Sequence, residues 1–401
     1  MKLESSMKKK ILLVSSSLSI GGLEKCLINL CDNFDYEKYQ VDLYLFNQGR
    51  DLLPKLNKNV CLLADSPYYA DVYNLSFFKS LKTLLKKKKL GLFFYRIGRW
   101  IRTRFNNKKF TENDWEQMKK TMLKIDKHYD VAIGFEESSA CYYVADMVSA
   151  LVKIGWIHTD IKKINNNKKL DERAFEKLKH VVTVSQNSLH SLTEVYPKFA
   201  HKFKCIVLPS LLNYDEINAL ANQPNDMDND CIKILSVGRL VELKGFHLCV
   251  SACKQLIDEG YNIKWYVAGE GGYHKHIEEE IDRCNLKDNF ILLGNCENPY
   301  TLIKSADICV QPSSYEGFGI SVYEEKYFKK AVVATKIPSH LEMLTNMVNG
   351  LVIERNSQEI YKAVKYLLDN TNKRIEMANV PVNNNGNNKQ IMQQIEGLIN
   401  Q

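Results

Sequence analysis

Short apolar runs recur along the chain and alternate with stretches whose apolar residues are spaced as in an amphipathic helix. Strands alternating with helices are typical of parallel βαβ units, so the pattern predicts a doubly wound parallel sheet. In the first half, buried strands are predicted at 10–15, 41–46, 131–134, 154–157, 181–184 and 205–208.

The same pattern starts again in the second half, with a strand predicted at 232–238 that ends in glycine. The stretch before it, 222–230, is polar and rich in turn-forming residues, so we place an interdomain linker at 209–231. Further strands of the second half are predicted at 265–268, 290–294, 308–311 and 331–335. The chain is therefore predicted to be α/β, with domains at 1–208 and 232–378 and an asparagine-rich segment with a closing helix at 379–401.

The 401 residues are 45% apolar and 25% charged, enough for two domains that each bury a core. No stretch approaches the roughly 18 consecutive apolar residues that a membrane-spanning helix needs. The apolar run after the N-terminal lysines is too short for the core of a signal peptide. Eleven scattered cysteines without a Cys-x-x-Cys spacing predict reduced thiols and no structural zinc. We therefore expect a cytoplasmic protein.

The net charge of +8 comes from one segment, 79–109, which holds twelve Lys and Arg and no Asp or Glu. Apolar and aromatic residues interleave with its arginines at near-helical spacing. A basic amphipathic helix of this kind suits the surface of an anionic membrane. The alternative is a solvated helical face packed on the domain. Nucleic-acid binding has no support beyond the charge, and we expect none.

The loop at 238–245 follows a predicted strand and precedes a predicted helix. Ligands of doubly wound sheets bind at the carboxyl ends of strands, where helix N-termini point amide groups outward. Arg239 and Lys244 place two cations on this loop, where they could neutralise a diphosphate that gains charge as it leaves. The alternative is two solvated surface charges.

A second glycine-rich stretch follows the predicted strand 308–311 and opens a predicted helix. Gly317 and Gly319 allow a ligand to approach the backbone closely. Glu316 and Glu324 would be roughly 12 Å apart along a continuous helix, too far to share one bond-breaking step. That spacing suits the two ends of an elongated ligand such as a nucleotide sugar. The alternative is a capped helix with an acidic face.

The stretch 237–245 together with Glu316-x7-Glu324 resembles family 4 of the retaining GT-B glycosyltransferases, the glycosyl transferases group 1. The resemblance implies two Rossmann-like domains that face a cleft. The Trp-Ile-His-Thr-Asp form at 156–160 is similar to bacterial capsule and exopolysaccharide enzymes. Further matching stretches occur in the expected order at 21–24, 155–160, 269–271, 297–300 and 349–350.

The resemblance also implies roles for individual residues. Arg239 and Lys244 would bind the donor diphosphate in place of a metal ion, and Glu324 would hold the ribose hydroxyls. Glu316 would hold the hydroxyls of the donor sugar, together with the amides of 317–319.

Two glycines of the first half, Gly21 and Gly22, would close over the phosphates, and His158 would face the reacting sugar near the acceptor. The implied donor-binding positions are Gly21, Gly22, Gly238, Arg239, Lys244, Glu316, Gly317, Phe318, Gly319, Ile320 and Glu324. The implied catalytic positions are His158, Glu316, Arg239 and Lys244.

The activity implied is transfer of a hexose from a nucleotide sugar to a glycan or lipid-linked saccharide in cell-surface polysaccharide synthesis. A UDP-sugar is the expected donor, because it is the most frequent donor in the family. Retention by front-face attack is expected, in which the leaving phosphate oxygen takes the acceptor's proton, with neither metal nor cofactor. The loop 336–342 lacks the glycines that relatives often carry, which leaves the donor sugar open. The alternatives are a soluble synthase or phosphorylase of the same architecture and a catalytically silent scaffold that binds sugar nucleotides.

Overall fold

The computed structural model describes residues 8–19, 21–47, 49–105, 110–164, 166–207, 211–228, 230–383 and 388–401. The chain divides into two compact units. The first comprises Met1–Leu211 and Asn388–Gln401, and the second comprises Leu212–Asn387. Each unit contains a parallel sheet with helices, as the alternating pattern predicted.

The sheet of the first unit has seven parallel strands among the described residues, in the order β3-β2-β1-β4-β5-β6-β7. Residues Ile11 to Val14 of β1 are fully buried, because helices cover both faces of a doubly wound sheet. The strand order reverses between β1 and β4, which makes their carboxyl ends a topological switch point. The strands are β1 (Lys9–Ser15), β2 (Tyr39–Leu45), β3 (Cys61–Leu62), β4 (His128–Gly134), β5 (Ser149–Ile157), β6 (His180–Thr183) and β7 (Phe203–Cys205).

The helices of the first unit pack through an aromatic-rich core. Trp115 and Tyr143 are fully buried in it, and the indole of Trp115 donates to Asp146 Oδ2 at 2.8 Å. The helices are α1 (Gly22–Asn33), α2 (Tyr69–Tyr73), α3 (Phe77–Lys86), α4 (Leu90–Arg104), α5 (Glu112–Lys119), α6 (Ser139–Met147), α7 (Lys168–Lys177) and α8 (Gln186–Val195).

The second unit contains a six-stranded parallel sheet among its described residues, in the order β10-β9-β8-β11-β12-β13. Its switch point lies between β8 and β11. The strands are β8 (Ile232–Val237), β9 (Ile263–Ala268), β10 (Phe290–Gly294), β11 (Ile308–Gln311), β12 (Ala331–Thr335) and β13 (Leu351–Ile353). The helices are α9 (Tyr214–Ala221), α10 (Phe246–Asp258), α11 (His274–Arg283), α12 (Pro299–Ser305), α13 (Ile320–Tyr327), α14 (Pro338–Met343), α15 (Ser357–Asp369) and α16 (Thr371–Asn379).

The stretch predicted as a linker, 209–231, contains the helix α9, which packs against α12. Asn213 caps this helix by accepting from the amide of Glu216 at 3.2 Å, and Ile217 and Ala221 are buried. Two buried positions are enough to pack a short helix against its neighbour, so a mostly polar stretch can still contain a helix. Residues 208–210 and 229 of the predicted boundary lie outside the described residues.

The last helix, α17 (Asn388–Ile399), belongs to the first unit although it follows the second in sequence. Its apolar face buries Ile391, Ile395 and Leu398, and Lys9 Nζ donates to Asn400 Oδ1 at 2.7 Å. Within the asparagine-rich segment, 384–387 lie outside the described residues.

The basic segment forms the two helices α3 and α4, which break at Lys88 with a φ of 54°. Its last residues, 106–109, lie outside the described residues. Large apolar side chains on both helices point into solvent. They are Phe78, Leu85, Leu90, Phe94, Trp100 and Ile101.

Among the described residues, no helix is both long and apolar enough to cross a bilayer. No disulfide joins the eleven cysteines, all of which are described. Six are buried as small apolar side chains: Cys26, Cys31, Cys141, Cys249, Cys253 and Cys309.

Candidate active site

Two loops of the second unit leave its sheet side by side at the switch point. The loop after β8 begins at Gly238, and the loop after β11 begins at Pro312. The two strands are paired, and Ser236 Oγ donates to the carbonyl of Val310 at 2.7 Å. The glycine-rich stretches predicted to bind one ligand are therefore neighbours in space.

Gly245 permits the closest approach between these loops. It has a φ of 75°, and a Cβ atom there would lie 2.3 Å from the carbonyl oxygen of Pro312. Arg355 also joins the loops, because its Nε donates to Pro312 O and its Nη2 to Glu242 O, both at 3.1 Å. Sequence reasoning missed Arg355, although its place just after β13 is a carboxyl-end position of the same sheet.

Lys244 and Glu316 form an ion pair across the two loops. Lys244 Nζ lies 2.5 Å from Glu316 Oε1, and only 14% and 17% of the two side chains are exposed. Ser313 Oγ donates to the same carboxylate oxygen at 2.6 Å, a contact that sequence reasoning also missed. A lysine ammonium has three donors, so one bond to Glu316 leaves donors for an anionic ligand.

Arg239 lies on the same loop, two residues beyond the end of β8, and its side chain is exposed. Its guanidinium makes no hydrogen bond or ion pair with another of the described residues. The structure thus brings Lys244 and Glu316 together and leaves the Arg239 side chain in solvent.

Glu316 lies in the loop, not in the helix that follows it. The helix α13 begins at Ile320, after Gly319 with a φ of 92°. The separation of 12 Å expected for a continuous helix from Glu316 to Glu324 therefore does not apply. A Cβ atom at Gly319 would lie 2.9 Å from Met343 Cε and 3.2 Å from His340 Cδ2, so glycine lets the loop pack against α14.

Glu324 on α13 is almost completely buried and accepts from the hydroxyl of Tyr300 at 3.0 Å. The next residue, Glu325, is fully buried and accepts from Gln311 Nε2 at 2.6 Å. Burial raises the pKa of Glu325 to about 8, and the charge of Glu324 adds to the rise. Sequence reasoning did not single out Glu325, since nothing in the spacing separates it from Glu324.

His340 is a buried histidine in the loop region that sequence analysis marked as atypical. Its Nδ1 lies 2.9 Å from the carbonyl of Thr335, and its Nε2 has no partner among the described residues. Burial lowers the pKa of His340, so the ring is neutral.

Gly317 and Phe318 lie in the loop before α13, and Phe318 is buried. The predicted residues Gly21, Gly22 and His158 belong to the first unit. Gly21 is the N-cap residue of α1, and Gly22 is its first residue. A Cβ atom at Gly21 would lie 2.3 Å from Glu24 Oε2, so this carboxylate packs directly on the glycine. The loop is at the carboxyl end of β1, at the first unit's switch point.

His158 follows β5 and packs its ring against Phe135, with ring centroids 4.9 Å apart. Its backbone amide donates to Glu137 Oε2 at 3.0 Å. The ring Nε2 is shielded from solvent and has no partner among the described residues. Burial lowers the pKa of His158 to about 3, so the imidazole is neutral and able to accept a hydrogen bond from a hydroxyl.

Sequence analysis also missed Glu136 and Glu137, two glutamates that follow β4. Glu136 Oε2 accepts from Ser16 Oγ at 2.9 Å. Burial raises the pKa of Glu136 to about 8, and the charges of Glu137 and Glu24 contribute. Their position directly after a central strand was a signal available in the sequence, by the same rule that singled out the loop at 238–245.

Residues 220–380 match the family of the glycosyl transferases group 1. The chain is 26% identical over 148 residues to the capsular polysaccharide biosynthesis glycosyltransferase CapM of Staphylococcus aureus, covering 37% of this chain and 38% of that protein. It is 25% identical over 213 residues to the poly(ribitol-phosphate) alpha-N-acetylglucosaminyltransferase of the same species, covering 51% and 41%. The aligned part spans about two fifths of the length of these relatives.

Solved structures match over the whole chain. Anabaena HepE in complex with UDP superposes with a TM-score of 0.67 at 18% identity, covering 98% of this chain and 99% of that one. A variant of S. aureus TarM in complex with fondaparinux, α-GlcNAc-glycerol and UDP has a TM-score of 0.67 at 14% identity, covering 98% and 100%. These likenesses and the two Rossmann-like units confirm the predicted GT-B fold.

Proposed function

We propose that the chain is a retaining glycosyltransferase, because residues 220–380 match the glycosyl transferases group 1. It moves a hexose from a nucleotide sugar to a saccharide acceptor in the synthesis of a cell-surface polysaccharide. UDP in HepE and TarM supports a UDP-linked donor. The names of CapM and of the poly(ribitol-phosphate) enzyme support a polysaccharide acceptor.

The pair of Lys244 and Glu316 carries this proposal, because it places a cation and a carboxylate side by side at the second unit's switch point. The ammonium neutralises charge that develops on the leaving diphosphate, and Arg239 reaches the same group from its exposed position on the loop. Glu316 accepts from the sugar hydroxyls, and Glu324 holds the ribose. Charge fixed in place before the reaction lowers the barrier without reorganisation.

The chemistry proposed for the transfer is front-face attack without a metal ion. The bond from the anomeric carbon to the diphosphate breaks, the acceptor oxygen bonds to the same face, and the leaving phosphate oxygen takes the acceptor's proton. His158 faces the reacting sugar near the acceptor, and its neutral ring adds no charge there.

We further propose that α3 and α4 hold the protein on the inner face of an anionic membrane. Leu90, Phe94 and Ile101 lie on one face of α4 and are exposed by 56%, 65% and 44%. Phe78 and Leu85 share one exposed face of α3. Exposed apolar stripes flanked by lysines favour an interfacial helix pair over a face packed on the domain.

The proposal is tested by thermal stabilisation of the purified chain with a panel of nucleotides and nucleotide sugars, without added metal. Stabilisation by UDP and one UDP-sugar, and transfer of that sugar to an acceptor, is expected. Stabilisation by another nucleotide would overturn the UDP assignment. A soluble synthase or phosphorylase would bind no lipid vesicles, and stabilisation without transfer to any saccharide would point to a silent scaffold.

A further inference from the structure

The first unit contains a cavity of about 400 Å³ that the proposed donor chemistry does not use. Its size is within the range of sites that hold small ligands. It is lined by α2, α4, α5, α6 and the loop before α7. Its polar and aromatic walls include Tyr69, Tyr73, Tyr142, Asn74, Asn166 and Asn167.

This lining has the chemistry of a saccharide site. Aromatic rings pack against the C–H faces of a sugar. The Tyr142 hydroxyl already donates to Asp171 at 2.6 Å, but its oxygen can still accept from a sugar hydroxyl. The amide nitrogens of Asn74 and Asn167 already donate to Asn47 Oδ1 and to the carbonyl of Phe110, so the side-chain oxygen of Asn74 is the atom that accepts from a sugar hydroxyl. No described Asp or Glu side chain lines the cavity, so its one charged group is Arg99.

Arg99 is the uncompensated cation of this cavity. Its guanidinium lies 4.8 Å from the ring centroid of Tyr73, and its Nη1 is buried without a partner among the described residues. Asp114 on α5 is already bound by Arg102 Nη2 at 2.5 and 2.6 Å. A buried donor without a partner costs free energy, which an anionic ligand would recover.

The amino end of α6 adds a second positive element to the same wall. Ser138 and Ser139 line the cavity at the start of this helix. Ser138 has a φ of 63°, and its hydroxyl donates to Asn166 Oδ1 at 2.7 Å instead of capping α6. The first-turn amides of α6 are therefore not capped by this side chain, and they favour negative charge nearby.

We infer that this cavity binds an acceptor saccharide that carries an anionic group, a carboxylate or a phosphate, with Arg99 as the residue that recognises the anion. The inference rests on the proposed function, because only a transferase has an acceptor. It goes beyond that function by naming the acceptor's chemical class and the residue that selects it.

The test measures binding of glucuronic acid, glucose 1-phosphate and glucose to the full chain, with the donor site saturated by UDP. The wild type is compared with Arg99→Gln and with Arg96→Gln, a matched loss of charge one turn earlier on α4 at a residue that does not line the cavity. At least one anionic probe is expected to bind the wild type and Arg96→Gln about tenfold or more tightly than glucose. Arg99→Gln is expected to lose this preference.

Preference for glucuronic acid would identify a carboxylate-bearing acceptor, and preference for glucose 1-phosphate a phosphate-bearing one. Equal or absent binding of all three probes by the wild type, with UDP still bound, would overturn the inference alone. So would a preference that survives in Arg99→Gln. Failure of the wild type to bind any nucleotide would instead overturn the proposed function, and the same titration without UDP then decides whether the cavity selects anions.

Discussion

Lys244 is the residue on which the proposed chemistry depends most, because its side chain is only 14% exposed and lies at the switch point. Its pairing with Glu316 keeps the ammonium in position. A solvated lysine elsewhere in the second unit would have the same charge but no fixed position. The value of the residue therefore lies in its preorganisation.

Replacement of Lys244 by Ala, or of Arg239 by Ala, is expected to lower turnover by about 10²-fold or more, as for other fixed charges that stabilise a leaving group. The measurement is initial-rate transfer from the donor found by thermal stabilisation. Lys254→Ala, at a partly exposed lysine of α10 that pairs with Asp258, is the matched control and should keep wild-type turnover. Wild-type rates in both Lys244→Ala and Arg239→Ala would remove the diphosphate assignment.

The residues that form this site could be predicted from the sequence, but the contacts between them could not. Glycine, lysine and glutamate at 238–245 and 316–324 indicated a ligand site, and the structure brings Lys244 to Glu316. Ser313, Arg355 and His340 were missed because their roles arise from contacts between segments far apart in sequence.

At the scale of elements, the loop after β8 depends on a glycine that no other residue can replace without cost. Gly245 has a positive φ, and a side chain there would meet Pro312. The contact sets how closely the loops after β8 and β11 approach. The ion pair between Lys244 and Glu316 spans the same two loops.

Gly245→Ala is expected to lower the free energy of unfolding of the second unit by about 1–3 kcal/mol, from strained backbone and from the clash. Gly260→Ala is the control, because Gly260 has a φ of 88° but open space around it. Gly260→Ala should lower the free energy of unfolding by only about 1 kcal/mol, because it strains the backbone without a clash. Urea unfolding measures both, and equal losses would contradict a close approach at Gly245.

The helix α13 carries a buried acid whose ionisation opposes folding. The pKa of Glu325 rises from 4.5 to about 8 in the folded protein. The folded state therefore holds a proton that the unfolded state releases, so stability is full below pH 4.5 and declines as pH rises to about 8.

Glu325→Gln is expected to match the wild type at pH 4.5 and to exceed it by roughly 1–4 kcal/mol in unfolding free energy at pH 8. The amide keeps an oxygen for Gln311 and cannot ionise. Unfolding by urea at the two pH values checks this, with the exposed Glu278→Gln as control. A gain independent of pH would show that the effect is packing and not ionisation.

At the scale of the whole molecule, positive charge is concentrated in the segment 79–109, while the rest of the chain carries a net −4. The helices α3 and α4 turn apolar side chains outward beside this charge. Two of the four consecutive lysines are engaged locally: Lys87 pairs with Asp71 at 2.5 Å and Lys89 lies 4.5 Å from the Tyr68 ring centroid. Lys86 and Lys88 are exposed.

Replacement of Lys86 and Lys88 by Gln is expected to weaken binding to anionic vesicles by roughly 1 kcal/mol per charge. Lys275→Gln with Lys287→Gln removes the same charge from exposed positions on the second unit and should leave vesicle binding unchanged. Sedimentation with phosphatidylserine vesicles measures both. Equal binding by wild type and the Lys86/Lys88 variant would remove the membrane proposal.

The sequence alone determined the fold class and the position of the central strands, because buried parallel strands need continuous apolar runs that few other structures require. It missed the short strands β3 and β13 and the helix α9, which have none, one and two buried residues and therefore too little periodicity to stand out. The sequence also located the loops of the donor site, since glycine and paired charges after a strand have few other uses.

Only the tertiary structure decided what those residues touch. In the structure, Lys244 pairs with Glu316, and Glu316 lies in the loop before α13. The helix α17 belongs to the first unit, and Arg99 lines a cavity there. Each depends on segments distant in sequence that meet at the end of a sheet or under a helix. Burial, charge neutralisation and close backbone approach arise from contacts between these distant segments, so a pattern along the chain cannot predict them.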